Sequence, residues 1–157
     1  RKVEAVLANA RHSLPALYEQ ALPIEGKIQF CKTLAEAVNN VEWVSECVPE
    51  RLDLKQSVLT QVQANCSETT VISSSTSGFK PSELNDGATR PEQIIVAHPF
   101  NPVYLIPLVE LVGDKTTCLK AKAILDSLGM FPLLVRKEID AHIADRFLEA
   151  VWREGSG

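Results

Sequence analysis

Apolar residues recur at helical spacing from Lys2 to Ala21, through Val3, Val6, Leu7, Ala10, Leu14 and Leu17. The pattern predicts an amphipathic helix that Pro15 kinks or divides. A short strand is expected over Lys27–Phe30. Thr33-Leu34-Ala35-Glu36 then reads as a capping box opening a short helix, hydroxyl and carboxylate each satisfying a free backbone N–H. β-forming residues over Val41–Val48, between Asn39-Asn40 and Pro49, predict a strand. Leu52, Leu54, Val58, Leu59 and Val62 give Leu52–Ala64 an apolar helical stripe. Further strands are expected over Thr69–Ser73, Ile94–His98, Ile106–Val112 and Phe131–Arg136. Pro81–Leu84 reads as one helical turn, Thr116–Leu128 as a helix with Gly129 as its C-cap, and Ala141–Glu154 as a last helix. Gly155-Ser156-Gly157 is expected to be a flexible tail.

Strands alternating with helices argue an α/β fold around a largely parallel sheet. Ligands of such sheets bind outside the carboxyl ends of the strands. Three strands end there in chemically loaded residues: Glu46, the run Ser73–Gly78, and His98.

His98 leaves an apolar strand directly into Pro99-Phe100-Asn101-Pro102, whose two prolines restrict the backbone behind it. An imidazole titrates near neutral pH, so it can accept a proton and return it. Oxidation of an alcohol needs such a group. His12, on a polar helix, and His142, opening another, read instead as structural residues. Glu110 interrupts the apolar run Leu108–Val112 beside the strand that ends in His98. From spacing alone Glu110 reads as a solvated residue on an edge strand, whereas a partly buried carboxylate needs a partner. Its expected place is the far ring nitrogen of His98, where it would fix the tautomer and stabilise the imidazolium. The hydroxyl run at 73–77 has two readings on composition: a polar loop, or a surface that a cofactor or substrate approaches closely.

The chain has 157 residues, enough for one domain with one core. Its net charge of -4 and lack of a basic stripe argue against a nucleic-acid partner. Apolar stretches such as Val103–Val112 are too short for a bilayer, and Arg1–Leu22 is amphipathic rather than a signal peptide. Cys31, Cys47, Cys66 and Cys118 are widely spaced. They are expected to be buried or half-buried free thiols of a reducing cytoplasm, with no metal site.

At Glu46-Cys47-Val48-Pro49-Glu50, Ser75-Thr76-Ser77 and His98-Pro99-Phe100-Asn101-Pro102, the chain resembles the L-3-hydroxyacyl-CoA dehydrogenase superfamily. Ala97–Tyr104, Pro107–Glu110 and Ala141–Phe147 are most similar to its carnitine 3-dehydrogenase branch. The resemblance covers nearly the whole chain and implies a Rossmann-like doubly wound sheet that binds NAD. It implies a catalytic role for His98, with Glu110 as its partner and Ser77 on the substrate hydroxyl. Glu46, Ser75, Ser77 and Asn101 would lie toward the cofactor. Asp145 would face the substrate; Phe100 and Tyr104, close in sequence to His98, read either as substrate-facing partners for a quaternary ammonium or as packed core. Many members carry Asn where Ser75 and Asp145 stand here. The negative charge of Asp145 would suit a cationic substrate.

The implied reaction is NAD-dependent oxidation of the 3-hydroxyl of L-carnitine by a cytoplasmic homodimer. The enzymatic alternatives are a 3-hydroxyacyl-CoA or L-gulonate. A non-catalytic, crystallin-like protein of the same fold is the alternative of another class. No GxGxxG is found among the seven glycines. The resemblance therefore implies a chain truncated at both ends and inactive by itself. Residues 1–137 would be the second part of the dinucleotide-binding domain, and 138–154 a linker and first helix of a C-terminal helical domain.

Overall fold

The computed structural model describes residues 5, 6, 8, 9, 12, 26–103 and 105–155. The chain divides into two compact units, Arg1–Phe30 and Cys31–Gly157. In the first, the described residues 5, 6, 8, 9 and 12 are helical, and His12 is exposed, as the apolar spacing predicts. Pro15 lies outside the described residues. The strand expected over Lys27–Phe30 is absent: the segment is irregular, with Ile28 and Phe30 exposed. β-propensity expresses packing against neighbouring strands, and among the described residues none pairs with this segment.

The second unit runs α1 (Leu34–Val38), β1 (Trp43–Glu46), α2 (Leu52–Asn65), β2 (Val71–Ser74), α3 (Pro81–Leu84), a 3-10 turn (Pro91–Gln93), β3 (Ile94–Pro99), β4 (Leu108–Val112), α4 (Lys115–Ser127), β5 (Phe131–Leu134) and α5 (Ile143–Gly155). Thr33 caps α1 by accepting from the Glu36 N–H. The Glu36 carboxylate reaches back to the Lys32 N–H, one residue beyond the expected cap. Gly129 follows α4 with φ of 76°, the left-handed position that glycine occupies without a Cβ clash. Helix α5 extends through Gly155, the first residue of the expected tail, and Ser156 and Gly157 lie outside the described residues.

The five strands lie in sequence order, parallel except at β3–β4. The sheet is thus mixed, because only eight residues join β3 to β4, fewer than a crossover to a parallel neighbour needs. Alternation along the strands builds two apolar layers. Ile72, Ile94, Val96 and Val112 pack with Leu59 and Val62 of α2. Val71, Ile95, Ala97, Val109 and Leu111 pack with Cys118, Ala121 and Leu125 of α4. Each fully buried branched side chain stabilises the fold by about 1.5–3 kcal/mol.

Parity then decides where the chemistry points. Glu46 shares a face with Val44, Ser74 with Ile72, His98 with Val96, and Glu110 with Val112. All four side chains therefore leave the face covered by α2.

Cys118 is buried, and burial, with the Asp114 charge, pushes its thiol up to about 11. Cys31 and Cys47 are exposed, against the expectation of burial, because one lies in the irregular segment and the other follows the end of β1. Among the described residues no helix is long and apolar enough to cross a membrane.

Gly113 joins β4 to α4 with φ of 144°, and a Cβ there would lie 2.8 Å from the Ile95 side chain and 3.2 Å from its Cα. Gly113→Ala combines a strained backbone with overpacking, and should cost about 1–3 kcal/mol. A lowered urea midpoint at unchanged slope is the expected result; an unchanged midpoint refutes it.

Candidate active site

The parallel pairing of β1, β2 and β3 brings their carboxyl ends to one edge. Glu46 lies opposite Ser74, and Ser74 opposite Val96, so His98 projects two residues further along β3. The antiparallel β4 sets Glu110 opposite His98 in the ladder. These placements agree with the edge expected from sequence.

His98 is 8% exposed. Its Nε2 lies 3.0 Å from the Ser77 hydroxyl and 3.8 Å from an Asp145 carboxylate oxygen. Asp145 arrives from the first turn of α5. The edge of Phe100 approaches the imidazole at 6.5 Å between centroids. Burial, and then the charge of His142, hold the His98 pKa below its ordinary value of 6.5, against the pull of Asp145, Glu110 and Glu50. That direction favours the unprotonated imidazole, the state a base requires.

Glu110 does not hydrogen-bond His98. Its two oxygens accept from the Ile143 and Ala144 N–H groups, at 2.8 and 2.7 Å. The expectation of a carboxylate on the far ring nitrogen is corrected here: His98 Nδ1 is buried with no hydrogen-bond partner. The reason is local. Two free N–H groups at the start of α5 offer the buried carboxylate stronger partners, with the helix dipole behind them. Glu110 thus anchors the helix that carries Asp145, and its charge reaches His98 through space.

His142, read from sequence as structural, is buried and stacked on His98, with ring centroids 4.0 Å apart and planes 7° apart. Its neighbour Asp145 is three residues away, one turn along α5, and only the ring's burial distinguishes it from a surface histidine. The alternation of residues could not signal that.

Glu46 is placed differently from the cofactor contact expected of it. Its side chain is 1% exposed and pairs with Lys55 Nζ at 3.0 Å. It also accepts from the Ser74 hydroxyl and the Val48 N–H, both at 2.5 Å. A carboxylate so enclosed has no surface left for a ligand. The accessible carboxylate of this loop is Glu50, with a side chain 46% exposed. Burial raises the Glu50 pKa, but hydrogen bonds from Thr76 and the Gly78 N–H, with Lys55 3.2 Å away, hold it below the ordinary carboxylate value. Lys55 was legible as an anomaly: it falls between Leu52 and Leu59 on the apolar stripe of α2.

Ser75 donates to the Glu46 carbonyl at 3.2 Å and contacts the Cys47 thiol. Asn101 is exposed beyond β3. Tyr104 lies outside the described residues. The structure thus gathers His98, Ser77, Asp145 and Phe100 at one place, with Glu110 behind the helix start. Glu46 stays in the interior.

Residues 2–139 match the family described as 3-hydroxyacyl-CoA dehydrogenase, NAD binding domain. The chain is 60% identical to an L-carnitine dehydrogenase/betainyl-CoA thioesterase of Ruegeria pomeroyi, over 98% of this chain and 32% of that protein. It is 47% identical to an L-carnitine dehydrogenase of Mesorhizobium japonicum, over 98% of this chain and 44% of that one. The chain therefore spans less than half the length of these relatives. Among solved structures, a 5-formyl-3-hydroxy-2-methylpyridine 4-carboxylic acid 5-dehydrogenase, described as an NAD+ dependent dismutase, superposes with a TM-score of 0.86 at 28% identity. That match covers 98% of this chain and 51% of the other.

Proposed function

The chain belongs to the 3-hydroxyacyl-CoA dehydrogenase family, and we propose that within a longer protein it supplies the base and the substrate edge for NAD-dependent oxidation of L-carnitine to 3-dehydrocarnitine. The observation that carries the reading is the 3.0 Å approach of Ser77 Oγ to His98 Nε2 at the carboxyl edge of the parallel strands. A substrate hydroxyl that approaches both groups donates its proton to Nε2 while accepting from the Ser77 hydroxyl, which turns from the ring to the substrate. As the carbonyl forms, the O–H proton is on His98, where Asp145 at 3.8 Å and the more distant Glu110 offset its charge.

The donor set at this edge fits a nicotinamide riboside. Ser75 and Ser77 present small hydroxyl side chains that let a ligand approach the backbone, and the accessible Glu50 carboxylate can accept from hydroxyl groups. NAD, when bound, supplies the acceptor for the hydrogen and electron pair that leave the substrate carbon. Asn101, exposed at the same edge, extends that surface.

Carnitine is favoured by the names of the relatives and by Asp145, whose carboxylate stands where a substrate cation would be attracted. Phe100, and Tyr104 by sequence, add aromatic faces for that cation. Two opposite charges about 4 Å apart attract by roughly 1–4 kcal/mol between bulk water and a protein surface. Asp145→Asn should therefore raise the KM for L-carnitine roughly tenfold, and it should also lower kcat, because the charge that offsets protonated His98 is lost. The test is NADH formation by the protein at the length of its relatives, offered L-carnitine, a 3-hydroxyacyl-CoA and L-gulonate. An unchanged carnitine KM in the variant removes the role of Asp145, and turnover of another substrate alone removes carnitine.

Helix α5 supports the proposed division at residue 138. It has no buried residue, and Phe147, Leu148, Val151 and Trp152 are exposed along it. An apolar face of that kind suits the first helix of a helical domain. We place the enzyme in the cytoplasm as a homodimer, with 1–137 as the second part of its dinucleotide-binding domain.

A further inference from the structure

We infer that His142 is a positioning residue for His98: its ring covers one face of the base, and the stacked pair accommodates a single positive charge. The inference rests on the reading of His98 as the base.

His142 stands just before α5, after Ala141, whose φ of 60° is left-handed. That conformation is costly for a residue with a Cβ. The imidazole is held from three sides. Nε2 lies 3.0 Å from the Thr76 carbonyl. A carbonyl oxygen only accepts, so Nε2 carries a proton. Nδ1 lies 3.9 Å from a Glu110 oxygen, and Glu110 is itself tied to the next two backbone N–H groups. The third side is the near-parallel stack on His98, at 4.0 Å.

Two imidazolium rings face to face at that distance repel strongly in a buried site, so the protons on the pair are coupled. A proton on His142 opposes one on His98. The direction agrees with the lowered pKa of His98, for which burial is the first cause and His142 the second. The other charged groups facing His98 are Asp145 from α5, Glu110 from β4 and Glu50 from the loop after β1, and each favours its protonation. Lys80 and Glu138 line the small cavity that His142 shares with Glu110 and Ser77. None of these replaces the stacked ring. Without it, the base would gain a proton at a higher pH and lose the surface that fixes its plane.

Two substitutions separate charge from packing. His142→Phe keeps a flat ring and removes the imidazole nitrogens. His142→Gln keeps a donor for the Thr76 carbonyl and removes the ring. The measurements are the pH profile of kcat/KM and an NMR titration of the His98 imidazole, labelled with 13C-histidine, in the protein at the length of its relatives. In both variants His98 should titrate at a higher pH than in the parent, and the acid limb of kcat/KM should move up with it. Above the limb, His142→Gln should lose more activity than His142→Phe, through kcat rather than KM.

An unmoved His98 titration in both variants overturns the inference and leaves the base reading intact. His98→Ala that keeps its activity overturns the base reading instead, while the titration still decides whether the rings are coupled. If one variant does not fold, the other carries the titration.

Discussion

His98→Ala, in the protein at the length of its relatives, is expected to lower kcat/KM by about 10²–10⁴-fold, the usual contribution of a positioned general base. KM should change little, because the alanine variant keeps Ser77, Phe100 and Asp145 around the substrate. The pH profile of the parent protein supplies a second, independent sign. Burial and then the His142 charge lower the His98 pKa, so the acid limb of kcat/KM should fall below pH 6.5. Activity is then complete at neutral pH and lost as pH falls through the lowered value. A limb at or above 6.5 contradicts that environment, and an active alanine variant removes His98 from the mechanism. In the proposed mechanism Ser77 behaves differently. It shares the proton network but does not carry the proton away, so its loss should leave the position of the limb unchanged.

The edge where this chemistry sits was legible in the sequence because strands have a period of two. Once β1, β2 and β3 are recognised as successive strands of an α/β sheet, Glu46, Ser74 and His98 must share an edge. Parity along each strand then places them on one face. The strand over Lys27–Phe30 was misread because its apolar residues carry no information about partners. Composition alone cannot distinguish a strand from an exposed segment of the same residues.

The arrangement of the acids was less legible for a related reason. Sequence spacing brings Glu110 beside His98 but does not say which hydrogen bonds it will accept. The competitor was the start of α5, more than thirty residues away, with two unsatisfied N–H groups. His142 was hidden in the same way, because its burial depends on how that helix start folds back over β3 and the Thr76 loop. Long-range partners of polar groups, rather than element positions, were what the sequence left open. The family resemblance narrowed the set of residues without fixing their contacts. Glu46 shows this, since the resemblance placed it beside the cofactor and the fold encloses it.

Lys55→Met is expected to destabilise the domain by about 3–5 kcal/mol, the usual cost of leaving one member of a buried ion pair without its partner. Lys55 and Glu46 are each 1% exposed at the side chain. Lys55 Nζ donates to both Glu46 oxygens, at 3.0 and 3.1 Å, and to the Val48 carbonyl at 3.1 Å. The methionine keeps the volume of the lysine stem, so the loss is electrostatic rather than a cavity. Glu46 would then be a buried carboxylate without its cation. Glu46→Gln combined with Lys55→Met removes the stranded charge, so it should recover a large part of the loss. Urea denaturation of the parent, the single variant and the double variant checks both statements. The pair also ties α2 to the end of β1 and, through Glu50, to the Thr76–Gly78 turn that positions Ser77. The single variant should therefore lose kcat at temperatures where it is still folded, while His98→Ala leaves the unfolding midpoint closer to that of the parent. A Lys55→Met protein of undiminished stability would remove the ion pair from the scaffold of the site.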